Sequence, residues 1–173
     1  MPELFSVVRR RAYSAALTVF RVLPGPVRRG LVRAGTPGFT VGAVCAIEHD
    51  GMLLMLRQPH RHGWTLPGGL LERGETAAEA VVRELREETH LDIEVGVPLT
   101  VGVHPGVRRV DVVFRIAVDE RPPVRAGGEA SEVRWIHPDE MADTADAPTR
   151  EILVLLQRAL RPGGADGRIL PAG

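Results

Sequence analysis

The sequence predicts an α+β fold in which a mixed sheet lies between helices. Three observations carry that expectation: a series of short β-rich apolar runs, one helix inserted early among them, and a second helix after them. Taken in order, the chain turns β-like at Pro37. Residues 39–47 and 52–56 are apolar runs separated by His49, Asp50 and Gly51, a hairpin turn in which the glycine supplies a positive φ. A helix is expected over 77–89, because Thr76 can cap it from its hydroxyl, Glu79 completes a capping box, and nearly every residue from Ala77 to Glu88 is a good helix former. Residues 93–97, 99–103 and 110–117 read as strands, 119–131 as a loop and 133–136 as a last short strand. A closing helix over 148–160 carries Ile152, Leu155, Leu156 and Leu160 on its apolar face.

Around this domain, expected over 37–161, lie two different termini. Residues 1–36 carry arginines at 9, 10, 11, 21, 28, 29 and 33 against one acid, Glu3, with Phe5, Val8, Ala12, Ala16, Val19 and Leu23 at helical spacing. Pro24 and Pro26 are expected to stop that basic amphipathic helix. Its arginines interrupt every stretch long enough to span a membrane, and no small-residue cleavage site of a secretory leader follows it. The helix can pack on the domain or on a second subunit, which leaves a homodimer open, or it can rest on an anionic membrane surface. Residues 162–173, rich in Gly and Pro, are expected to be a flexible tail.

At 173 residues the chain is long enough for one ordinary domain with a proper core. The 22 basic residues, all arginine, balance 22 acidic ones, so bulk attraction to a nucleic-acid polymer is not indicated. The chain also lacks Asn, and we read both omissions as codon bias. The single cysteine, Cys45, excludes an internal disulfide and fits a reducing cytoplasm; its apolar surroundings in sequence predict a buried structural thiol.

The chemistry concentrates on the early helix. Glu84, Glu87 and Glu88 stand at i, i+3 and i+4, so their carboxylates share one face and repel one another. Hard divalent cations relieve such repulsion, and Mg²⁺ is commonly held by a few carboxylates together with substrate phosphate oxygens. The bland alternative is a solvated helix face balanced by arginine. Upstream, Gly68 and Gly69 form a loop in which main-chain oxygens can approach a ligand closely.

Gly69, Glu75, Arg83, Glu84, Leu85, Glu87, Glu88 and Leu91 have the spacing of the Nudix box, and the chain thereby resembles the Nudix hydrolases over roughly residues 37–160. The lead-in Trp64-Thr-Leu-Pro-Gly-Gly69 and the late segment Glu132-Val-Arg-Trp135 resemble the family as well. One box position departs: His90 stands where Gly is usual, just past the helix end, where a left-handed backbone conformation is common and a side chain costs on the order of 1 kcal/mol.

The resemblance implies an α/β/α sandwich and a Mg²⁺-dependent pyrophosphohydrolase, Mn²⁺ being the alternate ion, that cleaves a diphosphate bond in a nucleoside diphosphate derivative such as a nucleotide, an ADP-ribose-like compound or a nucleotide sugar. It implies that Glu84, Glu87, Glu88 and the carbonyl of Gly68 bind metal, with Arg83 holding the carboxylates in place. Glu75 either favours the helix dipole or hydrogen-bonds to the ligand residues. The general base is a box glutamate or a loop carboxylate, and Glu129, six residues before Trp135, is preferred over Glu132 and Glu120. Arg57 and Arg61 are candidate phosphate clamps. His60 and His62 are expected to belong to a polar loop, and Trp64 to the core. A nucleotide-binding regulatory module without turnover is the alternative, which the intact glutamate cluster disfavours.

Overall fold

The computed structural model describes residues 18, 20–36 and 38–162. The chain divides after Gly38 into two compact units. In the first, helix α1 spans Gly25–Gly35, with Pro24 at its N-cap, a proline in its first turn and Arg33 in its last. Pro24 and Pro26 therefore do more than the sequence reading expected. They follow a helical stretch at 20–22 and then begin a new helix, because a proline in the first turn forfeits only an N–H that has no intrahelical partner. The rest of the basic helix expected over residues 5–23 lies outside the described residues, apart from Thr18, as do residues 163–173 of the expected tail.

The second unit is an α/β/α sandwich of α+β character. Its elements are β1 (Thr40–His49), β2 (Met52–Arg57), β3 (Trp64–Thr65), β4 (Gly68–Leu70), α2 (Ala77–Thr89), β5 (Thr100–His104), β6 (Arg109–Ala117), β7 (Glu132–Ile136), α3 (Pro138–Thr144) and α4 (Ala147–Ala159). The sheet is mixed and runs β3-β2-β1-β6-β5, with β4 on β1 and β7 on β2. β1 and β6 are parallel along their length, and the other pairings are antiparallel.

β1 is buried on both faces. Ala43, Cys45 and Ile47 join Leu54, Phe114 and the α2 residues Ala80, Val81 and Leu85 in one core, while Val44 and Ala46 join Met55, Val113, Met141 and the α4 residues Ile152 and Leu156 in the other. Two-sided burial is why β1 reads as a continuous apolar run with no alternation. It also pushes the Cys45 thiol up to about 12, which leaves it a structural residue.

The hairpin between β1 and β2 turns on Asp50 (φ 46°) and Gly51 (φ 75°), the two positive φ values that a tight two-residue turn demands. Its strands share the rungs Glu48↔Leu53 and His49↔Met52, and β4 takes over the edge of β1 from Gly42 to Val44. That exchange of partners brings the Gly68–Gly69 backbone up against α2.

The strand expected over 93–97 does not form. Ile93 and Val95 pack on the α2-side core from an extended loop while Val97 is exposed, so the alternation is met by burial without any ladder. The sequence reading also missed the two short strands around Pro67 and the helix α3, each too short to show a period.

α2 begins and ends as its sequence dictates. The Thr76 hydroxyl accepts from the Glu79 N–H, and the Glu79 carboxylate accepts from the Thr76 N–H at 2.8 Å. At the other end His90 caps in the left-handed conformation, φ 59°, with its N–H on the Arg86 carbonyl at 3.1 Å. No helix among the described residues is long and apolar enough to cross a membrane.

The positive φ of His90 carries a measurable cost. His90→Gly is expected to stabilise the protein by about 1 kcal/mol in chemical denaturation. The His90 ring lies against Gly127, so a destabilised variant would show that this contact outweighs the backbone strain.

Candidate active site

One face of α2, the β4 backbone and two loops enclose a polar cavity of about 500 Å³. Its wall includes Gly68, Gly69, Arg83, Glu84, Glu87, Glu88, Arg61 and Glu129, and also Gln58, His60, Glu72, Arg109 and Gly128. Most of the residues singled out in the sequence thus meet in one place.

Glu88 sits deepest. It is 4% exposed, and its two carboxylate oxygens are divided between two donors: Gln58 Nε2 gives a hydrogen bond to Oε1 at 2.6 Å, and the Gly68 N–H gives one to Oε2 at 3.0 Å. Burial pushes its pKa from an ordinary 4.5 up to about 7, and the neighbouring Glu84 pushes the same way, while the two donors and Arg61 pull it down. Burial wins because, among the described residues, the nearby arginines pair elsewhere, Arg61 with Asp146 and Arg83 with Glu75, Glu84 and Glu87.

Arg83 organises the other box residues. Its Nε and Nη2 bond both oxygens of Glu75 at 2.9 and 3.1 Å, its Nη1 bonds Glu84 at 2.8 Å and approaches Glu87 at 3.6 Å, and Nη2 also reaches the Leu70 carbonyl. The fork held by Glu75 fixes the guanidinium, and these bonds hold the Glu75 carboxyl below its usual range. Glu75 therefore acts from behind Arg83, with the Glu72 N–H as a further donor, and does not line the cavity.

The glycines are fixed by lack of room. A Cβ on Gly69 would lie 2.1 Å from Glu84 Oε1, and one on Gly68, whose φ is 137°, would lie 2.2 Å from the Ala43 carbonyl oxygen.

Convergence of the three glutamates is less complete than helical spacing alone suggested. Among the described residues, no three carboxylate, imidazole or thiol groups already stand close enough to hold a metal ion. The reason is local: Arg83 draws Glu84 and Glu87 toward itself, whereas Gln58 and Gly68 hold Glu88. The donor chemistry still suits a hard divalent cation. Three carboxylates and a glycine backbone line one polar space, and a buried carboxylate whose charge is disfavoured gains most from a cation placed beside it.

The loop after β6 completes the cavity. The Gly127 N–H bonds the Glu88 carbonyl at 3.0 Å and the Arg125 N–H bonds the Thr89 carbonyl at 3.2 Å, satisfying backbone oxygens at the end of α2. This tie brings Glu129 to the rim, where its side chain is 75% exposed and 3.8 Å from His60 Nε2. Glu132 instead pairs with Arg134, and neither it nor Glu120 lines the cavity.

Of the two arginines expected as phosphate clamps, Arg61 lines the cavity and pairs with Asp146 at 3.3 Å. Arg57 does not line it. Its guanidinium lies over the Trp64 ring at 5.8 Å, because β-strand alternation turns it to the face where Trp64 sits. Trp64 itself is core. His60 proves closer to the chemistry than a plain polar loop, whereas His62 is exposed and does not line the cavity. Gln58 and Arg109 carried no motif, and nothing in their spacing marked them.

Comparison with known proteins agrees with this arrangement. The chain is 38% identical over 99 residues to a MutT-like protein of Streptomyces ambofaciens, covering 56% of this chain and 62% of that protein. It is 31% identical over 130 residues to the CTP pyrophosphohydrolase of Escherichia coli (strain K12), covering 67% of this chain and 91% of that one. The crystal structure of a NUDIX hydrolase from Nitrosomonas europaea superposes with a TM-score of 0.58 at 27% identity, covering 68% of this chain and 69% of that one. The NUDIX domain profile matches residues 36–157, and with the box residues gathered at one cavity, the chain belongs to the Nudix hydrolase family.

Proposed function

We propose that the protein is a Mg²⁺-dependent pyrophosphohydrolase, able to use Mn²⁺, that cleaves a diphosphate bond in a nucleoside diphosphate derivative: a nucleotide, an ADP-ribose-like compound or a nucleotide sugar. The single observation that carries this reading is the meeting of Glu84, Glu87 and Glu88 with the Gly68–Gly69 backbone at one cavity that Glu129 overlooks. The name of the CTP pyrophosphohydrolase relative supports a nucleotide as the organic part. The lone buried thiol suits work in the cytoplasm.

Glu84, Glu87, Glu88 and the Gly68 carbonyl are the residues to hold the metal. When bound, the ions neutralise phosphate oxygens and acidify the attacking water. The protein's own contributions are orientation and proton transfer. Gln58 and the Gly68 N–H fix the Glu88 carboxylate, and Arg83, itself fixed by Glu75, supports Glu84 and Glu87. Glu129, exposed and at the rim, accepts the proton of the water as it attacks phosphorus. The leaving phosphate departs with its negative charge met by arginines of the wall.

The test is product release from nucleoside triphosphates, dinucleotides, ADP-ribose and nucleotide sugars with Mg²⁺ or Mn²⁺. Turnover is expected, and chelation is expected to abolish it. Silence across the panel with nucleotide still bound would favour a regulatory module. Glu88→Gln is expected to cost at least ~10-fold, as loss of a metal ligand does. Glu129→Gln is expected to cost roughly 10²-fold, and an unchanged rate would hand the base role to a box glutamate.

Glu88→Gln also separates function from fold. Because the folded-state pKa of Glu88 is raised from 4.5 to about 7, burial favours the protonated carboxyl. Its stabilising contribution is therefore fully present below about pH 4.5 and is lost as pH rises through 7, a difference on the order of 3 kcal/mol in metal-free protein. Urea denaturation of chelated protein at pH 8 should find Glu88→Gln more stable than wild type; a less stable variant would mean that the two donors, not burial, govern the site.

A further inference from the structure

Three arginines line the cavity, and two of them already spend at least one of their outer nitrogens. Arg83 gives its nitrogens to Glu75, Glu84 and the Leu70 carbonyl, and Arg61 gives Nη1 to Asp146. Arg109 differs. Its Nε bonds Asp111 Oδ1 at 2.7 Å, and among the described residues no hydrogen bond engages its two outer nitrogens.

The residue that holds it is unusual for its place. Asp111 lies near the start of β6, is fully buried, and faces glycine on both neighbouring strands: Gly42 of β1 and Gly102 of β5. Those glycines make the room. A Cβ on Gly42 would lie 2.5 Å from Asp111 Oδ1 and 2.8 Å from Arg109 Nη2, and one on Gly102 would lie 2.8 Å from Leu155 Cδ1 and 3.1 Å from His104 Nε2.

A carboxylate so buried, with its charge unspent, would cost several kcal/mol unless it were paired. Arg109 takes one oxygen. The other, Oδ2, has no hydrogen-bond partner, and neither does His104 Nε2; these two buried atoms face one another at 3.4 Å. The other ring nitrogen of His104 meets Glu151 of α4 at 2.5 Å. A polar chain thus runs from the surface at Glu151 through His104 and Asp111 to a guanidinium at the cavity wall.

We infer that Arg109 is the residue that grips a phosphate group of the substrate with its two outer nitrogens, and that the polar chain of Asp111, His104 and Glu151 is there to position it. This rests on the reading of the cavity as a diphosphate-cleaving site. Gripping through Nε alone leaves the Nη pair in the fork geometry that suits two phosphate oxygens, a geometry lysine cannot reproduce.

The test measures binding of ADP in Mg²⁺ by calorimetry for wild type, Arg109→Gln, Arg109→Lys and Asp111→Asn, with inorganic pyrophosphate as a second probe and thermal denaturation alongside. Arg109→Gln is expected to weaken ADP about 10- to 100-fold, with Arg109→Lys recovering little of the loss. In turnover, KM should rise by more than kcat falls for Arg109→Gln and Asp111→Asn alike, a split that mere loosening of the fold would not give. Should Asp111→Asn fail to fold, Glu151→Gln replaces it, with a KM rise of about 3-fold expected from an exposed partner; an unchanged KM would overturn the positioning chain. Wild-type binding with an equally tight Arg109→Gln variant would overturn the inference and leave the proposed activity standing. Failure of wild type to bind either probe would overturn both.

Discussion

The carboxylate of Glu88 ties together parts of the chain that are far apart in sequence. Gln58 reaches it from the end of β2, the Gly68 N–H reaches it from β4, and its own backbone carbonyl receives the Gly127 N–H from the late loop. Three segments of the cavity wall are therefore tied to one residue near the end of α2. Desolvation makes this an expensive place for a negative charge, and two neutral donors offset only part of the cost. The arrangement makes sense when the missing part of the compensation arrives with the ligand. On the proposed reading, stability given up at this carboxylate is regained as affinity for the metal, a trade often met at catalytic centres.

Arg83 moderates the same electrostatics one turn earlier. With Glu75 fixing one side of its guanidinium, it keeps Glu84 and Glu87 from repelling each other while nothing else neutralises them. It also keeps them apart from Glu88, so the three side chains would have to turn to share the ion proposed for this cavity. The wall of the cavity is thus prepared in its backbone and left adjustable in its side chains.

Much of this was legible in advance because local rules act within short windows. The capping box of α2, its span, the Asp50–Gly51 turn and the box spacing all depend on residues a few positions apart, and the structure follows them. What the sequence could not show depends on sheet partners. The alternating Ile93, Val95 and Val97 look like a strand, yet no ladder is offered to them; Arg57 looks like a phosphate ligand until the pleat turns it onto Trp64. Gln58 gains its role from Glu88, 30 residues away in the chain, and Arg109 and Asp111, two residues apart, gain theirs from the strands that flank them. The glycines opposite Asp111 belong to β1 and β5, so only register reveals why they are small.

The bonds from Gly127 and Arg125 to the last carbonyls of α2 have a dynamic consequence. They join the carrier of Glu129 to the carrier of Glu88, so neither can loosen while the other stays rigid. In amide exchange the loop and the last helical turn would open as one cooperative unit, at one free energy. A thermal fluctuation that disturbs the site then removes Glu129 and Glu88 together, so that, in the roles proposed for them, partly assembled states able to bind but not to react would stay rare.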